Sequence, residues 1–189
     1  MKIKFSLVVL FMLLVNSCKD DELLIPRPLA NLRVEFPERL YANVNLNCPY
    51  QFELATYMNA IPTPAGSTCH LDVSLGQFNG MLHLSYVPIQ DNLPELIAYS
   101  IEKVREHQVK ASAIQDSLIV LEDQRVFATF YDFYGNAATP FQFHFTDSAH
   151  HFIRGTVYFN ATPNYDSIYP VLQYVREDLI HIIKSNIWQ

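Results

Sequence analysis

Glycine is scarce in this chain of 189 residues. There are five, and none falls in a GxGxxG or GxxxxGK arrangement. Loops that cradle phosphate on backbone N–H groups need such spacings, so nucleotide-binding sites of those kinds are excluded. Basic residues are also few and scattered: 13 Lys and Arg stand against 19 Asp and Glu, giving a net charge of −6. Without a basic patch there is nothing to neutralise phosphate, which excludes nucleic acid as a partner. Purely electrostatic adhesion to anionic lipid is excluded for the same reason. The seven histidines show no HxH or HxxxH spacing, so they mark no metal site. No GxSxG elbow is present, and Thr146-Asp147-Ser148-Ala149-His150 is too local for a catalytic triad to converge. That stretch reads as hairpin-turn chemistry. Nothing marks a carboxylate pair of the glycosidase kind either. No catalytic residue is therefore assigned, and the residues point away from an enzyme. Long apolar runs are missing as well. The run Phe5 to Val15, broken once by Ser6, is ~17 Å long as a helix, short of the ~30 Å hydrocarbon core.

What is present begins with that short run. Lys2 and Lys4 precede it and the small Ser17 follows, the layout of a signal peptide over residues 1–17. The context Val15-Asn16-Ser17-Cys18 resembles a bacterial lipobox, in which Cys18 receives lipid (palmitate among the acyl chains) and becomes the first mature residue. Loss of Lys2 and Lys4 leaves 11 basic and 19 acidic side chains, so the mature chain carries −8. Membrane attachment then rests on the lipid at Cys18, and no other cofactor is implied. Residues 18–30 read as a lipidated tether: Lys19-Asp20-Asp21-Glu22 is solvated, and Pro26-Arg27-Pro28 favours extended backbone. The acidic run also resembles the export signal that carries some lipoproteins to the cell surface. Of the three cysteines, Cys48 and Cys69 remain as an even pair in an oxidising compartment. There they can persist as a disulfide or stay as free thiols; a zinc site lacks further ligands.

Residues 31–189 read as a single α+β domain. Alternation predicts strands at Leu32–Phe36, Tyr50–Leu54, Cys69–Leu75 and Met81–Tyr86, with Asn79-Gly80 as a hairpin turn. The period then changes. Leu93, Leu96, Ile97, Ile101 and Val104 form a helical stripe over about 92–108, with Asp91 or Asn92 as cap and Pro94 in the first turn. Strands resume at 113–121, 125–134, 141–145 and 152–160, joined by short turns as consecutive hairpins. Asp166 or Ser167 caps a last helix whose stripe runs from Ile168 through Ile183. The order strands, helix, strands, helix excludes a doubly wound parallel sheet. It predicts a single antiparallel β-sheet flanked by two helices, similar to the PsbP/Mog1-type α/β/α sandwich. A polar set punctuates the aromatic strands: Tyr131, Asp132, Gly135, Asn136, Arg154, Asn160 and Asn164. It is a candidate interaction patch, with turn and cap residues as the plainer account.

Blocks along the mature chain resemble one family, the gliding-motility lipoprotein GldD of the Bacteroidota. They are Leu32-Arg33-Val34-Glu35-Phe36-Pro37-Glu38, Cys48-Pro49-Tyr50-Gln51-Phe52-Glu53 and Phe78-Asn79-Gly80-Met81-Leu82-His83-Leu84-Ser85-Tyr86. Gly135-Asn136-Ala137-Ala138, His151-Phe152-Ile153-Arg154-Gly155 and Pro163-Asn164-Tyr165-Asp166-Ser167 continue the series. One departure lies in the tether, where Leu29-Ala30-Asn31 replaces a more usual Arg-Gly-Tyr. The resemblance implies a Cys48–Cys69 disulfide. It also implies a cell-envelope lipoprotein, an accessory component of gliding motility coupled to type IX secretion, with no catalytic activity. Its partners would be other gliding and secretion proteins of the envelope, with the outer membrane preferred over the inner and the face left open. The alternative is a lipid-anchored protein that binds a small ligand or glycan beside its aromatic strands.

Overall fold

Alternating aromatics and two amphipathic stripes produce a layered fold. The computed structural model describes residues 34–44, 46–62, 69–160 and 164–189; the signal peptide, the tether and Cys18 lie outside them. In chain order the elements are β1 (Tyr41–Asn43), β2 (Tyr50–Gln51), β3 (Glu53–Ala55), β4 (Asn59–Pro62), β5 (Leu71–Ser74) and β6 (Gly80–Pro88). Helix α1 (Leu93–His107) follows, then β7 (Ala113–Leu121), β8 (Val126–Tyr134), β9 (Phe141–Thr146) and β10 (His151–Phe159). Helix α2 (Tyr165–Lys184) and β11 (Ile187–Trp188) close the chain.

Seven strands form an antiparallel sheet in the order β4-β5-β6-β10-β9-β8-β7. The hairpins β7-β8-β9-β10 are consecutive, as the alternation predicts. A single sheet is not what forms, however. Two small antiparallel pairs, β1 with β3 and β11 with β2, stand beside the main sheet. The physical reason is a break at Phe52, which splits the predicted strand Tyr50–Leu54 between two partners. Phe52 itself is wholly buried and stacks on Tyr50. The predicted strand at Leu32–Phe36 is a second correction: residues 34–36 are not strand, and Phe36 lies instead on the ring of Tyr174, with centroids 4.7 Å apart.

The two helices take opposite faces, because adjacent strand residues point opposite ways. Phe141, Phe143 and Phe145 share the main core with Phe130, Ile153 and the α2 stripe Leu172, Val175, Leu179, Ile182 and Ile183. On the other face α1 sits over Phe133, with Val104 in a smaller cluster. Ser100 and Val104 are its buried residues, so α1 is held by little apolar area. Caps differ in detail from expectation. Asn92 occupies the N-cap position of α1, but its carboxamide oxygen accepts from the Gln90 N–H at 2.9 Å instead. For α2 the cap is Asn164, whose side chain accepts from the Ser167 N–H.

Cys48 and Cys69 are joined by a disulfide across 21 positions, with Cα atoms 5.6 Å apart. Closing a loop of that length stabilises by about 3 kcal/mol in the chain-entropy model. Tyr50 packs beside it and donates to the Cys69 carbonyl at 2.6 Å. Burial, with Tyr86 nearby, pushes the Tyr50 phenol up to about 12, so it remains a donor.

Candidate functional site

The face under α1 is polar. Gln142, His144 and Thr146 alternate with the phenylalanines of β9 and point toward the α1 face, all of them buried. The His144 Nδ1 and Ser100 Oγ lie 3.0 Å apart. Gln142 accepts from Arg154 Nη2 at 2.7 Å and donates to Thr139 Oγ1 at 3.1 Å. Arg154 Nε and Thr156 Oγ1 are buried without a protein partner. A hydroxyl beside an imidazole is the beginning of a nucleophilic site, but here Ser100 is 2% and His144 5% exposed, and the bonds made by His144 reach no carboxylate. The pair closes the helix onto the sheet.

Burial, helped by the Arg154 charge, drives His144 down to about 4. The sign of the consequence follows from proton binding. Between the unfolded value near 6.5 and the folded value near 4, the unfolded chain binds a proton that the folded chain refuses. Stability is therefore lost as pH falls through that window, by up to about 3 kcal/mol. His144→Gln keeps a polar contact to Ser100 and cannot titrate. Urea melts at pH 6.5 and 4 are expected to show a smaller loss in this variant than in the wild type; equal losses would contradict the assignment.

On the α2 face, Asp132 receives both arms of Arg176: Nε donates to Oδ1 at 2.7 Å and Nη2 to Oδ2 at 2.9 Å. This bidentate pair forms one wall of a cleft of about 160 Å³ with Gln115, Tyr134, Tyr165 and Tyr169. Burial and the neighbouring Tyr169 and Tyr134 push Tyr165 up to about 12. Asn136 Oδ1 accepts from the Tyr165 N–H at 3.0 Å, so this turn helps begin α2. Gly135 precedes it at φ +85°, where a Cβ would stand 2.9 Å from Ser112 Oγ; only glycine fits there without strain.

The polar set singled out above is thus divided. Asn136 and Asn164 meet at the start of α2, with Gly135 supplying the turn, and Asp132 on the same face holds Arg176 further along the helix. Tyr131 and Arg154 belong to the opposite, α1 face. Asn160 lies at the same sheet end as Asn136 but two strands across, where its carbonyl accepts from Asn79 Nδ2 at 3.1 Å.

A further cluster was not legible in the sequence. Asp178, 1% exposed, lies within the apolar stripe of α2. Tyr41 and Tyr57 donate to its two oxygens at 2.7 and 2.6 Å, and Arg39 Nε stands 3.4 Å away. Burial, then the bond to Asp178, raises both phenols, so each stays protonated. Arg39 also pairs with Glu177 and lies over the Tyr174 ring. Tyr174 in turn donates to the Pro37 carbonyl at 2.6 Å. This cluster straps residues 36–41 to α2. An acidic residue at helical spacing among Val175, Leu179 and Ile182 is the signal that could have pointed to it.

A seven-stranded antiparallel sheet with a helix on each face and two accessory strand pairs defines an α+β domain. Among solved structures the chain is similar to the solution structure of cyanobacterial PsbP (CyanoP) from Synechocystis sp. PCC 6803. Identity is 10%, the match covers 86% of this chain and 99% of that one, and the TM-score is 0.46. No curated protein matches. The family model described as gliding motility lipoprotein GldD matches residues 21–188. The chain belongs to the gliding motility lipoprotein GldD family, and as a lipoprotein it is lipid-anchored in the cell envelope.

Proposed function

We propose that this protein is a non-enzymatic accessory component of the gliding machinery, linked to type IX secretion, that acts by binding other envelope proteins. Its lipid anchor is Cys18, and the outer membrane is preferred to the inner. The observation that carries this reading is the family match, which spans residues 21–188. A role by contact is supported by where chemistry and exposure fall. The Ser100–His144 pair and Asp178 are buried against their own partners, while Leu118 and Val120 are 74% and 54% exposed on a sheet edge. Deleting the protein is expected to abolish colony spreading and to reduce secretion of type IX cargo. A deletion strain that spreads and secretes normally would sink the proposal.

A second reading is favoured by the cleft beside Asp132 and Arg176. Tyr134, Tyr165 and Tyr169 offer ring faces, and Gln115 and Arg176 offer polar groups, the mixture a sugar requires. Titration with envelope oligosaccharides, followed by NMR, would support it through shifts confined to these residues. Absence of such shifts dismisses it.

A further inference from the structure

Strand β7 is an edge. It pairs with β8 on one side, and among the described residues no strand pairs with it on the other. A free edge presents unpaired N–H and C=O groups, and proteins usually blunt it by shortness, proline, a bulge or lysine. The opposite edge obeys this: β4 has four residues and ends at Pro62. In contrast, β7 has nine residues, with no proline and no lysine, and ends in the unbroken run Leu118-Ile119-Val120-Leu121. Leu118 and Val120 share a face, lie opposite Thr129 and Phe127, and are 74% and 54% exposed. Helix α1 covers the same face elsewhere, where Val104 packs with Phe133 and Ile114. The apolar end of β7 therefore stands beyond the helix.

The charged residue within β7 and the first two past it are acidic. Asp116 within β7, and Glu122 and Asp123 just past it, are all exposed. The cation of that turn, Arg125, donates to the Asp147 carbonyl at 3.2 Å. We propose that β7 receives an extended strand from a partner protein whose one face carries apolar residues at the centre and basic residues two positions further out at each end. Backbone pairing would add a strand to the sheet, apolar side chains would cover Leu118 and Val120, and lysine or arginine would meet Asp116 and Glu122. A second copy of the chain brings the same acidic residues to the pairing and a mature charge of −8, so self-pairing is opposed. The chain's own Asp20-Asp21-Glu22 has the same sign. This inference rests on the reading that the protein works by contact, and it names the contacting surface.

The test uses the mature lipidated protein in detergent and two synthetic peptides of strand length, each with two valines at the centre of one face, flanked on that same face by lysine in one peptide and by glutamate in the other, with threonine at the intervening positions. Hydrogen–deuterium exchange is expected to slow in β7 with the lysine peptide and to stay unchanged in β4. Asp116→Lys combined with Glu122→Lys should weaken that peptide at least about tenfold and admit the glutamate peptide in its place. Leu118→Ser with Val120→Ser should also weaken binding, at an unchanged melting temperature because both side chains are exposed. No slowing in β7, or equal slowing by both peptides, overturns the proposal. Protection of β7 that grows with protein concentration and needs no peptide would assign the edge to a second copy. Protection lost on deleting residues 19–30 would assign it to the chain's own segment. A deletion strain that glides normally would remove the motility reading while leaving the peptide result intact, so the two failures are distinguishable.

Discussion

Asp178→Ala is expected to lower the unfolding free energy by about 3 kcal/mol and to release the segment that precedes β1. The carboxylate is 1% exposed and holds two phenols and, more distantly, a guanidinium. Its removal strands two phenol hydroxyls at a packed interface, while Arg39 keeps Glu177 and the Tyr174 carbonyl, and each buried group left unmatched costs about 1–3 kcal/mol. Tyr41 and Arg39 are near enough to the surface to recover water, which keeps the total toward the lower end. Asp178→Asn retains the shape and one acceptor, so about half the loss is expected. Urea denaturation measures the total, and hydrogen exchange over residues 36–43 measures the release. The position of this strap matters because those residues connect the domain to everything N-terminal of it. A pull on the chain N-terminal to residue 36 would be borne first by Arg39, Tyr41 and the Pro37 carbonyl, which are held on α2 by Glu177, Asp178 and Tyr174. Unchanged protection there in Asp178→Ala would refute the strap.

Gly155→Ala is expected to cost about 3 kcal/mol, or about 10 °C in melting temperature for a domain of this size. Gly155 lies in β10 directly opposite Phe143, and a Cβ would sit 2.1 to 2.6 Å from three atoms of that ring. The ring has no room to retreat. Phe143 is 1% exposed, stacked on Phe130 at 5.8 Å and against Phe145 at 6.2 Å. Overpacking at such a site forces either an off-rotamer ring or a backbone shift in the central strands. Phe143→Leu should be destabilising alone yet recover part of the loss in the double variant, giving a coupling of about 1 kcal/mol or more. Additive losses would show that the ring is not what forbids a side chain at this position.

Much of the layering is visible in the residues themselves. The alternation of Phe141, Phe143 and Phe145 places one strand face in the core, and the stripe from Ile168 to Ile183 marks the helix that covers it. The hairpins β7 to β10 follow from short polar turns between such runs. The same alternation implies that Gln142 and His144 leave the apolar face, but not that α1 buries them, since Ser100 lies 44 positions away. Phe52 could not announce a strand break, because Tyr50 to Leu54 alternates without interruption and the choice of partner is tertiary. The strap joins residues 137 positions apart, beyond any local pattern. A glycine inside an aromatic strand was a usable signal for the close approach at Gly155. The members of the candidate patch flank neighbouring strands in sequence, but the pleat sends Tyr131 and Asp132 to opposite faces.

In the function we propose, the protein acts through position and contact, set by a lipid at Cys18. The most direct measurement replaces Cys18 with alanine in the native strain and follows membrane fractionation together with colony spreading. A soluble, protease-resistant protein and loss of spreading are predicted, because the described core is built from residues 34–189 and the substitution removes only the lipid. A Cys18→Ala protein that stays in the membrane fraction and supports normal spreading would contradict the account.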